Sequence, residues 1–122
     1  MNIERLTVIC EWLEAGAPHK DGVDGFDMRE WVRYTPCGAV CCIAGAVYQF
    51  FGGKGEGFFI QAANLLELDC KTAERLFYAF NGSPEEGGID PATITPAWAA
   101  RCIRKLMETG EVDWVGTQAA ES

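Results

Sequence analysis

The chain has one histidine, no Cys-x-x-Cys pair, few basic residues and no apolar run long enough to cross a membrane. Each shortage narrows what it can do. Lysine and arginine number 10 against 18 acids, giving a net charge of -8 and a pI near 4.5. Nucleic acids and anionic membranes both require a basic surface, so direct binding to either is not expected. No residue from Gly38 to Phe51 is charged. That run is still too short for a membrane span, which needs about 20 apolar residues. The start, Met1-Asn2-Ile3-Glu4-Arg5-Leu6, carries charge where a secretion signal has its apolar core. With no export signal in view, the six cysteines are expected to be reduced and the chain cytoplasmic.

What is present is ordinary globular composition, 48% hydrophobic and 23% charged, at a length that suits one domain. The organising stretch is Thr35-Pro36-Cys37-Gly38-Ala39-Val40-Cys41-Cys42-Ile43-Ala44-Gly45-Ala46-Val47-Tyr48-Gln49-Phe50-Phe51. Thr35 suits an N-cap, Pro36 the first helical position, and Gly52-Gly53 a stop. Together they predict a buried central helix over residues 36–51. Asn2 caps an earlier helix over 3–15, with Ile3, Leu6, Cys10 and Leu13 inward. Further helices are predicted over 58–68, after the cap Asp69 (Ala73, Leu76, Phe77 and Phe80 inward), and from Thr95-Pro96 to about residue 108. In the last, Ala99, Cys102, Ile103 and Leu106 face in. Ser83-Pro84-Glu85-Glu86 has the spacing of a capping box and predicts one short turn. Residues 31–34 and 112–115 are strand-like and are expected to pair as a two-stranded β ribbon. Residues 52–57, rich in glycine, are read as a flexible connection. The fold class expected is mainly α: a compact bundle of about five helices around the central one. It forms a single domain over residues 1–116, followed by a flexible tail over 117–122.

Three readings compete for the cysteines. In the first, Cys37 is a nucleophile whose thiolate is favoured by free N–H groups at a helix start, with His19 as its base. In the second, Cys37 and Cys41, four residues apart, share a helix face and hold zinc together with His19, Cys70 or Cys102. In the third, Cys41 and Cys42 are small core residues that let neighbours pack close, as free cysteine does in most proteins. Asp21, Asp24, Asp27 and Glu30 recur every third residue but miss the alternate-position register of a calcium loop. The glycines at 52–57 lack the Gly-Lys-Ser/Thr ending of a phosphate loop. No cofactor is expected. Glu4, Thr7, Glu11 and Glu14 form an acidic helix face, and Trp31, Tyr34 and Trp114 are candidate aromatic anchors for a protein partner. Arg101, Arg104 and Lys105 are the densest basic cluster, expected on the outer side of the last helix.

The run Pro36-Cys37-Gly38-Ala39-Val40-Cys41-Cys42-Ile43-Ala44-Gly45 resembles a pattern in small proteins of bacteria and their phages. There a Cys-Gly-Thr/Ala stretch leads into Cys-Ile/Ala-x-Gly. Leu66-Glu67-Leu68, Ala73-Glu74-Arg75-Leu76-Phe77 and Thr109-Gly110-Glu111-Val112-Asp113-Trp114 look like further segments of such proteins. The resemblance spans about residues 34 to 114 and brings no established activity. It implies a phage or mobile-element origin, and small acidic proteins of that origin often block a host machine, as anti-CRISPR proteins do. The function expected is therefore a non-enzymatic protein-binding module with a basic partner, an inhibitor of host defence. The alternatives are a cysteine-dependent enzyme or zinc protein centred on Cys37 and Cys41, and a structural or assembly subunit.

Overall fold

A computed structural model describes residues 1–29, 32–35, 38–55, 57–78 and 93–118, with residues 32–35, 38 and 39 described by backbone alone. The protein is mainly α. Among the described residues there are five helices: α1 (Ile3–Glu14), α2 (Ile43–Phe50), α3 (Phe58–Leu65), α4 (Cys70–Phe77) and α5 (Pro96–Thr109). Three short strands, β1 (Val23–Phe26), β2 (Val32–Thr35) and β3 (Gly38–Cys41), form a mixed sheet in the order β1-β3-β2.

The helix starts follow their sequence signals. The Asn2 side chain accepts the Arg5 N–H at 2.9 Å, Asp69 that of Thr72 at 2.7 Å, and Thr95 that of Trp98 at 3.1 Å. Pro96 opens α5, and Gly110 closes it in the left-handed region at φ 79°. Leu6, Ile9, Cys10, Trp12 and Leu13 are the buried stripe of α1. Ile3, expected in that stripe, is 48% exposed, because it lies on the first turn beyond the edge of the core.

The predicted central helix over residues 36–51 is shorter, and half of it is something else. Gly38 to Cys41 is strand β3, and only Ile43 to Phe50 is helical. A short apolar run fits a buried strand as well as a buried helix, and periodicity alone cannot separate them. Pairing decides it. β3 takes β1 on one side in parallel, with Val23 opposite Ala39, and β2 on the other side antiparallel, with Thr35 opposite Gly38. Every edge of β3 is thus used. Cys42, not Thr35, caps the helix, its Sγ accepting the Gly45 N–H at 3.5 Å. Pro36 and Cys37 lie outside the described residues, as do Phe80, Asn81, Gly82 and the predicted turn at Ser83.

The expected ribbon between 31–34 and 112–115 is also corrected. β2 pairs with β3, its neighbour in sequence, which closes a far smaller loop than pairing across the chain. Residues 112–115 instead run into a turn that seats Trp114 in the core at 6% exposure.

The core is continuous. α1 packs along α5, α2 on α3, and β1 and β3 lie against α2. Each fully buried Leu or Ile, such as Leu6, Ile9, Ile43 and Ile103, contributes roughly 1.5–3 kcal/mol by leaving water. Gly52, at φ 84°, and Gly53, whose N–H bonds the Tyr48 carbonyl at 2.8 Å, end α2 in a left-handed turn. The loop that follows is pinned, where the sequence reading expected slack. Tyr48 donates its hydroxyl to the Gly55 carbonyl at 2.8 Å, and the Gln61 amide bonds the Lys54 N–H at 2.9 Å and its carbonyl at 2.6 Å. A Cβ at Gly53 would sit 2.1 Å from the Tyr48 ring. Gly53→Ala is therefore expected to destabilise the fold by about 1–3 kcal/mol. Urea unfolding checks this, and a midpoint equal to the parent's would contradict the packing described.

Candidate functional site

The acidic face of α1 runs along the seam with α5. Glu4 and Glu11 are exposed and make no hydrogen bond or ion pair among the described residues. Thr7 is half-buried and donates to the Ile3 carbonyl at 2.7 Å. Glu14 is committed inside the molecule. Both its oxygens accept from Arg104, Nε at 2.6 Å and Nη2 at 2.7 Å. The guanidinium holds the Glu14 carboxyl below the usual carboxylate range. The pair is open to water, so it fixes the register of α1 on α5 more than it stabilises the fold.

The basic cluster of α5 is spent in the same way. Lys105 Nζ lies 2.6 Å from Asp113 Oδ2, and each group shifts the other toward its charged form. Arg101 Nε donates to the Thr117 carbonyl at 2.9 Å, and the Thr117 hydroxyl donates to the Asp113 carbonyl at 2.5 Å. The segment after α5 is thereby strapped back onto that helix.

Of the three aromatic anchors, Trp114 is not on the surface. It packs edge-on against Trp98, ring centroids 6.0 Å apart, and its Nε1 donates to the Arg75 carbonyl at 3.0 Å. Its charged sequence neighbours suggested exposure. Glu111 is exposed and Asp113 pairs with Lys105, while the indole reaches both α4 and α5. Trp31 lies outside the described residues, and Tyr34 is placed by backbone alone in β2.

His19 is exposed in the loop before β1, its Nδ1 2.7 Å from Asp24 Oδ1. The spacing of the acids gave no sign of this contact, because a loop has no period to read. Asp27 accepts from the Arg29 backbone N–H and side chain at 2.8 to 3.0 Å. Among the described acids of that series, Asp24 thus meets a histidine and Asp27 an arginine.

The cysteines divide sharply. Cys10, Cys41, Cys42 and Cys102 are buried, and Cys70 is exposed. Burial pushes Cys10 and Cys42 up to about 11, and Cys41 and Cys102 up to about 12, from the usual 9.0. A thiol that burial keeps protonated is a poor nucleophile, and this weighs against Cys41 in the enzyme reading. Among the described residues, no three His, Cys, Asp or Glu side chains gather as a metal site would require. Cys37 lies outside the described residues.

One feature had no signal in the sequence. A groove of about 270 Å³ opens between the start of α1, the α2–α3 loop and α3, lined by Arg5, Gly52, Gly53, Gln61, Asn64 and Leu65. Comparison of the chain with protein-family models, with curated proteins and with solved structures returns no match.

The four buried thiols set an alkaline limit on stability. Their folded values lie above the unfolded one, so the stability they contribute is complete below pH 9 and is lost as pH rises toward 11 to 12. Urea midpoints measured at pH 7.5, 9.0 and 10.5 are expected to fall across the upper interval, with a smaller fall in Cys102→Ala. Equal midpoints at all three would refute the burial of these groups.

Proposed function

We propose that this chain is a small acidic protein-binding module without catalysis of its own. On this reading its partner presents a basic surface, and the chain is a phage or mobile-element inhibitor of a host defence system, anti-CRISPR in kind. The observation that carries the reading is the uneven use of charge. The cations of α5 are taken up internally by Glu14, Asp113 and the Thr117 carbonyl. Glu4 and Glu11 on α1 stay exposed, in a chain already at net charge -8. A surface of unspent carboxylates steers a basic protein and repels nucleic acid.

Two further observations support it. The buried, protonated thiols supply no reactive sulfur, which weighs against the cysteine-enzyme reading at four of the six positions. Among the described residues, no helix is long and apolar enough to cross a membrane. The origin and the target rest on the resemblance carried by residues 36–45 and the segments downstream.

Expression of the chain in a bacterium whose CRISPR system targets an infecting phage tests the proposal. Plaque formation is expected to recover by several orders of magnitude. The double variant Glu4→Lys, Glu11→Lys, which disturbs no contact of the fold, is expected to lose that recovery. No recovery against any CRISPR type would overturn the inhibitor reading, and full recovery by the double variant would overturn the role of the α1 face.

A further inference from the structure

Among the described residues that line the groove, Arg5 is the only charged one, and like Lys20, Lys54, Lys71 and Arg75 it meets no carboxylate there. Arg29, Arg104 and Lys105 each pair with a carboxylate, and acids outnumber bases 18 to 10. It is held in place by uncharged groups. Nη1 donates to the Leu65 carbonyl at 2.8 Å, and the guanidinium carbon lies 5.4 Å from the centre of the Phe51 ring. One carbonyl uses one of five N–H donors, so the rest of the fork is available where Arg5 lines the groove.

The other walls are complementary. Gln61 is tied to the Lys54 backbone and serves as wall. Asn64 is exposed, and its amide makes no bond among the described residues. Leu65, half-buried, gives the groove its apolar side chain. Gly52 and Gly53 present bare backbone, and a Cβ at Gly52 would meet nothing within 4 Å. The C-terminal end of α2 borders the groove and opposes an anion there, but its Val47 and Tyr48 carbonyls are already bonded.

We infer that this groove is a binding site for a carboxylate carried on a short apolar stem. The carboxylate would take two parallel hydrogen bonds from Arg5 with a third from Asn64, and the stem would lie on Leu65. A guanidinium already fixed by a carbonyl and a ring loses little freedom on binding, which is why arginine suits this task better than lysine. A free short-chain acid and the C-terminal residue of a peptide share this chemistry. The inference does not rest on the acidic face of α1, which lies on the other seam of that helix.

The test is an amide-proton NMR titration with sodium hexanoate, with acetyl-Ala-Ala-Ala-Leu bearing a free C-terminus, and with hexanamide and the amidated peptide as uncharged controls. Hexanoate or the free-acid peptide is expected to shift Gly52, Gly53 and the Asn64 side-chain amide, with a dissociation constant on the order of millimolar. The stronger of the two names the source. Arg5→Lys should weaken binding at least about tenfold through loss of the fork. Asn64→Glu, at an exposed position where folding is secure, should abolish it by placing a carboxylate against Arg5. Equal shifts from the uncharged controls, shifts scattered away from the groove, or unchanged binding in Asn64→Glu would each overturn the site.

Discussion

Strand β3 is paired on both edges, and after a single residue its chain continues into helix α2. This constraint orders the rest. A segment whose only polar side chains are Tyr48 and Gln49 can be buried only if its backbone groups are satisfied, and here two strands serve one half while helical bonding serves the other. Because Cys41, Cys42, Ile43, Ala44 and Ala46 are all at or below 4% exposure, neighbours must cover the unit on every side. β1 and β2 take its edges, α3 and α4 pack on α2, and α1 with α5 completes the enclosure.

Much of this was legible in the residues. Local chemistry was read correctly: the Asn2, Asp69 and Thr95 caps, the Pro96 start, the Gly110 stop, the inward stripe of α5, that of α1 apart from Ile3, and that of α4 as far as Phe77. The failures came where a partner distant in sequence decides the outcome. Gly38 to Cys41 reads equally as helix or strand until β1 supplies a neighbour. Trp114 reads as an exposed aromatic until Trp98 and the Arg75 carbonyl are placed beside it.

The candidate surfaces divide in the same way. That α1 carries an acidic face follows from spacing alone, and Glu4 and Glu11 are exposed as that spacing requires. That Glu14 is withdrawn from it by Arg104, 90 residues away, could not be read from spacing. The groove at Arg5 was invisible for the same reason. Its walls come from three elements, and its defining property is a missing carboxylate, which no motif can spell. Charge accounting over a folded surface thus says more about this protein's contacts than the net figure of -8 does.

Three of the four tryptophans end their indole N–H on a main-chain oxygen: Trp12 on Pro18, Trp98 on Trp114, and Trp114 on Arg75. A carbonyl is the same whatever side chain its residue bears. These indoles therefore dictate where the chain must pass at Pro18 and Arg75, while leaving open which amino acid occupies either point. Sequence drift at such positions would be silent as long as the path is kept, whereas a one-residue insertion beside them would withdraw the acceptor. The molecule is built to tolerate changes of letter there better than changes of length.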